Sequence, residues 1–355
     1  MSELFIHFST AGCLQVVLLG FIGGVLSGFI GSGGAFFMTP GMMNLGVQGV
    51  VAVGSNITHK FGKAMVGSRK HGQMGHVDKK LGIFMLITAL IGIRLAVFIS
   101  TYLFESKGGE GETGAAANLY ISIVFISILF VVAISMLRDI LSKKSELDEG
   151  PSKKLVNYFS RLRLFPMINF PIADVRISLW VLMIVGLATG YLAGTIGVGG
   201  FIGVPAMIYI FGVPTAVATG TELFLAQFMG AFGAINYALK GFVDIRLVAL
   251  LYLGSLFGIL LGVYGTKVVN EKIIRLVTAL IILLCVISRA IALPIYLSQL
   301  GTIDFINPAS YDTINTVSMY FLYCSGLSGV GVILFNVIRA YIKKRRVYAT
   351  VITRS

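Results

Sequence analysis

Two glycine clusters, Gly31-Ser32-Gly33-Gly34 and Gly197-Val198-Gly199-Gly200, each stand between strongly apolar stretches. A cluster of this kind interrupts a helix. The N–H groups left unpaired at the break, with the positive end of the helix dipole, make a cradle for a small anion. Gly31, Ser32, Gly33, Gly34, Gly197, Gly199 and Gly200 are therefore candidate substrate-binding residues; the alternative is a plain turn between two helices. Inside a bilayer, broken backbone is tolerated only facing protein or a water-filled cavity.

A polar stretch follows each cluster. In the first copy it reads Gly54-Ser55-Asn56 with Thr58, His59 and Lys60; in the second, Thr219-Gly220-Thr221-Glu222 with Gln227. Polar groups are costly in hydrocarbon and turn to the bundle interior. Ser55, Asn56, Thr221 and Glu222 either line a substrate cavity or bond a neighbouring helix. His59, Lys60 and Lys63 lie nearer the cytoplasmic end, where snorkelling to the headgroups is expected. Arg94 sits near the middle of an apolar stretch, where an unpaired cation costs at least ~2.5 kcal/mol. It is expected to pair with Glu222 or with a substrate anion. Glu222 itself either takes up a proton when the site is open, which would couple transport to protons, or is a structural carboxylate satisfied by Arg94 or nearby hydroxyls.

Other chemistries lack their residues. The glycine clusters have no βαβ context, and Gly62-Lys63-Ala64 lacks the Ser or Thr of a phosphate-binding loop. His71 and His76 lie in a basic segment without acidic or Cys partners, so no metal is expected. Cys13, Cys285 and Cys324 are far apart in apolar segments and suit packing. No paired carboxylates or nucleophile–base spacing occur in the apolar stretches. The expectation is a non-enzyme that uses no cofactor.

The elements that position these residues emerge from an internal repeat. A shift of 166 residues places Gly28, Gly31, Gly33 and Gly34 on Gly194, Gly197, Gly199 and Gly200. After a one-residue gap Pro40 meets Pro205; the register then recovers, from Ala52-Val53-Gly54-Ser55 on Ala218-Thr219-Gly220-Thr221 to Gly75-His76-Val77-Asp78 on Gly241-Phe242-Val243-Asp244. Each half yields five apolar elements: 13–31, 34–46, 48–68, 80–103 and 118–138, then 177–197, 200–212, 214–240, 246–267 and 273–297. An eleventh covers 313–340. The second element of each half is too short to span and holds a proline, so it reads as a re-entrant or broken half-helix.

Composition supports the class. Of 355 residues 56% are hydrophobic and 12% charged, against about a quarter charged in ordinary soluble domains. The expected fold is an all-α polytopic membrane protein of two inverted repeats plus a C-terminal helix. Its expected parts are a first membrane repeat at 1–142, a basic cytoplasmic loop at 143–176, a second repeat at 177–297, and a last helix with a basic tail at 298–355. Segment 155–171 mixes Arg with aromatic and aliphatic residues, as would a helix lying on the cytoplasmic leaflet.

The net charge of +13 invites a nucleic-acid partner, but its distribution points to the bilayer instead. Placing 60–80, 138–176, 267–275 and 339–355 in the cytoplasm gathers 23 of the 28 Lys and Arg there and leaves 3 on the other side. This positive-inside asymmetry predicts an inner-membrane protein with its N-terminus outside and its C-terminus inside. The sequence carries no signal of oligomeric state.

The doubled signature GFIGSGGAFFMTP and GTIGVGGFIGVPAMIYIFGVPT, with AVGSN and ATGTELF and then GHVD and GFVD, resembles the TauE/SafE sulfite exporter family of membrane permeases. The resemblance covers most of residues 18–270. It implies export or uptake of sulfite, sulfonates or other small sulfur or carbon anions. The long loop at 138–176, the eleventh helix and the run NITHKFGKAMVGSRKHG depart from it. The expected function is an alternating-access exporter of a small sulfur anion; an anion channel, or an importer of a small carboxylate or sulfur anion, is the alternative.

Overall fold

The computed structural model describes residues 9–30, 34–106, 114–141, 165–197, 199–269, 271–303 and 306–352. Eleven α-helices run through them: α1 (Thr10–Ile30), α2 (Ala35–Asn44), α3 (Gly49–Gln73), α4 (Lys79–Ser106), α5 (Ala115–Leu141), α6 (Leu179–Ile196), α7 (Gly200–Tyr209), α8 (Thr215–Leu239), α9 (Ile245–Val268), α10 (Glu271–Gln299) and α11 (Tyr311–Ile352). Seven of these, α1, α4, α5, α6, α9, α10 and α11, are long and apolar enough to cross a membrane. The protein is a multi-pass, all-α membrane protein.

α2 and α7 have 10 residues each and contain Pro40 and Pro205. At 1.5 Å per residue each is about 15 Å long, half a hydrocarbon core. α3 and α8 are 25 residues each, but their polar residues keep them from reading as apolar spans. They pack on each other, with Gly233 against Ile57 and Gly230 against Phe61.

The two halves of the chain interleave. A Cβ on Gly20 would stand 2.5 Å from the carbonyl oxygen of Leu251, and one on Gly258 would stand 2.2 Å from that of Phe21, so α1 and α9 touch backbone to backbone. The repeat-related pair does the same: a Cβ on Gly190 of α6 would stand 2.0 Å from the Ala89 carbonyl oxygen, and one on Gly92 of α4 would stand 2.3 Å from that of Leu187. Close approach through small residues drives association where lipid is as apolar as the side chains. α5, α10 and α11 pack beside this frame, and the Ser288 and Ser318 side chains tie α10 to α11.

One expectation is corrected between α5 and α6. Residues 155–164 of the anticipated surface helix lie outside the described residues, and the rest is a β-hairpin: β1 (Met167–Phe170) pairs antiparallel with β2 (Val175–Ser178), Phe170 opposite Val175. Pro166 and Pro171 bracket β1, and neither ring permits a continuous helix. The hairpin buries Phe170 edge-on against Phe84 of α4, while the Ala173 N–H donates to Asp78 Oδ2 at 3.0 Å.

Candidate functional site

The site forms where the broken helices α2 and α7 meet α3 and α8. In the first half, Asn56 of α3 is fully buried, and its Nδ2 donates to the Ala35 carbonyl at 2.9 Å and to Thr39 Oγ1 at 2.7 Å. Thr39 Oγ1 in turn donates to the carbonyl of Ile196 at 3.1 Å, at the end of α6. The next residue, Gly197, ends that helix in the left-handed region with φ 77°, and a Cβ there would lie 2.9 Å from Asn56 Nδ2. A side chain at 197 would be strained and would push Asn56 aside. Asn56 therefore stitches the broken helix of one repeat to the helix end of the other.

The repeat-related position is Glu222 of α8, 3% exposed. Its Oε2 lies against the bare backbone of Gly203 in α7, 2.3 Å from where a Cβ would stand. Lys60 of α3 reaches it, with Nζ 3.9 Å from Oε1 and the Lys60 side chain 14% exposed. Asn56 and Lys60 are four apart and share one face of α3, so one helix face joins both halves of the site. Lys63 follows one turn on, half-buried and within electrostatic reach of Lys60. His59 is fully buried, with Nε2 2.8 Å from Ser255 Oγ.

Several buried polar atoms around this junction have no hydrogen-bond partner among the described residues: Asn56 Oδ1, Thr189 Oγ1, and both Glu222 oxygens. Each such atom costs about 1–3 kcal/mol if left dry. Native proteins rarely accumulate them in one place without water or a ligand to satisfy them.

The sequence-predicted residues divide into groups. Gly31, Ser32 and Gly33 lie outside the described residues. Gly34 is the N-cap of α2, pressed so closely on α1 that a Cβ would meet the Gly23 carbonyl at 1.9 Å. Gly199 and Gly200 open α7, with Gly203 one turn further on. Ser55 and Thr221 accept backbone N–H groups from the opposite repeat, of Asp244 at 3.1 Å and of Asp78 at 3.0 Å. They fasten neighbouring elements, the alternative weighed for them above.

Arg94 is corrected. It lies on the exposed face of α4, and among the described residues it makes no ion pair; the cation beside Glu222 is Lys60. Lys60, Lys63 and His59 are corrected as well. α3 runs to Gln73 and turns these residues toward the bundle instead of the headgroups. Without Lys60 and Lys63 the charge asymmetry becomes 21 against 3. The four-residue spacing of Asn56 and Lys60 was the signal available for them.

A second buried cation was left unexplained by the sequence. Arg289 of α10 is 1% exposed and donates to Asn44 Oδ1 at 2.7 Å, Ser122 Oγ at 3.2 Å and Tyr296 OH at 2.6 Å. Asn44 is the last residue of α2, so the guanidinium faces the negative end of that helix dipole. It anchors the broken helix from behind.

The sulfite exporter TauE/SafE family model matches residues 16–289. Among curated proteins, the probable membrane transporter protein YjnA of Bacillus subtilis is 25% identical over 271 residues, 76% of this chain and 96% of its own length. The probable membrane transporter proteins YdhB and YunE of the same organism are 25% and 23% identical, each matched over 94% of its length. No solved structure matches the chain significantly. With a family match that takes in both repeats, both broken helices and the Asn56–Lys60–Glu222 junction, the chain belongs to the sulfite exporter TauE/SafE family of membrane transporters.

Proposed function

We propose that this transporter exports a small anion, sulfite or another sulfur oxyanion or organosulfonate, across the inner membrane by alternating access. The observation that carries the reading is Lys60: a largely buried cation on α3, 3.9 Å from the Glu222 carboxylate, which accepts no hydrogen bond among the described residues. An anion arriving at this junction meets the Lys60 ammonium, the half-buried Lys63 and the N–H groups of Gly200 and Phe201, which open α7 ahead of its first intrahelical bonds, those of Ile202 and Gly203 to the Gly199 carbonyl. The family description supports sulfur anions as the class.

Export suits the physics. A cell interior negative by about 100 mV contributes roughly 2.3 kcal/mol per charge to anion exit. The orientation that serves this reading puts the N-terminus outside and the basic loops in the cytoplasm. The junction lies at the repeat interface, where rocking of one repeat against the other exposes it to either side in turn.

The test is flux into proteoliposomes of sulfite, sulfoacetate, taurine and thiosulfate, with a simple carboxylate as control. Saturable flux of a sulfur anion, stimulated by the same anion on the far side, is expected. Unsaturable flux would make the protein a channel, and flux of the carboxylate alone would remove the sulfur assignment.

A further inference from the structure

The charges at the junction, two ammonium groups and one carboxylate, balance around a monoanion but not around a dianion unless something moves with it. Lys60 lies 3.9 Å from Glu222 and serves as its counter-charge, and both Glu222 oxygens otherwise lack donors among the described residues. The groups facing this carboxyl can be counted element by element. α3 supplies Lys60 beside it, with Lys63 one turn on from Lys60 and His71 toward the helix end; the loop leading into α4 supplies His76 and Asp78, beside Gly220 and Thr221, and α4 itself carries Lys79, Lys80, Arg94 and Glu105, all exposed. α6 and α7 contain no charged residue. Lys60 is thus the cation that pairs with Glu222 among the described residues, and a dianion, which needs both ammonium groups of α3, draws on it as well as on Lys63.

We infer that the transporter moves a dianion together with one proton, with Glu222 as the proton carrier and Lys60 as the charge passed between carboxylate and substrate. When the dianion takes Lys60, Glu222 is left buried against Gly203 with no counter-ion, and an unpaired buried carboxylate is far costlier than the neutral acid. A proton from the aqueous phase to which the site is open neutralises it. The resulting O–H gives the junction a donor where it now has two unmatched acceptors, and it removes the repulsion between carboxylate and substrate. Two ammonium groups, a dianion and a neutral Glu222 sum to zero, so the loaded site crosses the membrane interior without net charge. On release the proton leaves and Lys60 returns to Glu222. One net negative charge still exits per cycle, so the membrane potential still drives export. The repeat-related Asn56 cannot titrate, which confines the proton to one half of the molecule.

This inference rests on the anion reading above, and the experiment separates the two. The probe is thiosulfate, a dianion that stays fully ionised across neutral pH, so any proton that moves is not its own. Wild-type protein in vesicles containing a pH dye should carry one proton with each thiosulfate. A one-unit pH gradient, acid on the thiosulfate-loaded side, should shift the equilibrium distribution of thiosulfate tenfold. In Glu222→Gln the ratio of distributions with and without the gradient should fall to one, whatever flux survives. Thiosulfate movement without protons in the wild type overturns the inference, as does an undiminished gradient response in Glu222→Gln. If the wild type moves no sulfur anion of the panel at all, the anion reading fails and takes the inference with it.

Discussion

The side-chain oxygen of Ser55 accepts the backbone N–H of Asp244 at 3.1 Å, and the same bond recurs between Thr221 and Asp78 at 3.0 Å, one repeat away. The neighbouring glycines obey the same rule. A Cβ on Gly54 would meet the Phe242 carbonyl at 2.3 Å, and one on Gly220 would meet that of His76 at 2.1 Å. Each Gly-Ser or Gly-Thr step is thus a socket for the loop of the opposite repeat. Asp78 and Asp244 then cap the helices that follow, with Leu81 and Arg246 donating to their carboxylates.

Ser55→Ala and Thr221→Val should each strand a buried backbone N–H and cost about 1–3 kcal/mol. The two bonds share no partner, so the double variant should lose close to the sum. Thermal unfolding in detergent measures this. A pair of variants that melt with the wild type but fail to transport would return these hydroxyls to the substrate site.

Lys60→Gln should raise the half-saturating concentration of the transported anion at least tenfold. A hydrogen bond to a charged group contributes about 1.5–3 kcal/mol, and 1.4 kcal/mol is a factor of ten. Concentration-dependent flux reads the change. An unaltered half-saturation would move the anion away from α3.

Arg289→Met removes the guanidinium that Asn44, Ser122 and Tyr296 share. The loss should exceed about 3 kcal/mol, because three buried groups lose a charged donor together. Arg289→Lys should recover part of it, since an ammonium keeps the charge but not the planar fork. Melting temperatures in the order wild type, Lys, Met are expected; a Met variant as stable as the wild type would remove the anchoring role.

Orientation is tested with single cysteines in a background where Cys13, Cys285 and Cys324 are replaced. Glu105→Cys at the end of α4 and Ile172→Cys in the exposed hairpin turn should react with an impermeant thiol reagent from opposite sides, Glu105→Cys from outside. Labelling of both from one side would contradict the inverted arrangement.

The duplication, the membrane class and the two short interrupted helices were legible in the residues themselves. A repeat at one offset, the length of an apolar run and a proline in a run too short to span are all local properties. The partners of the polar residues were not. Helical periodicity says which side chains share a face but not which face meets which. Ser55 bonds a residue 189 positions away and Thr221 one 143 positions away, each across the repeat boundary. Arg94 and Lys60 show the consequence. Both are cations within long helices, and depth alone made Arg94 the natural partner of Glu222. The packing of α3 against α8 chose Lys60 instead, because the close contacts of Gly230 and Gly233 bring that face of α3 onto α8, while the glycine contacts of α4 with α6 leave Arg94 on the outer surface.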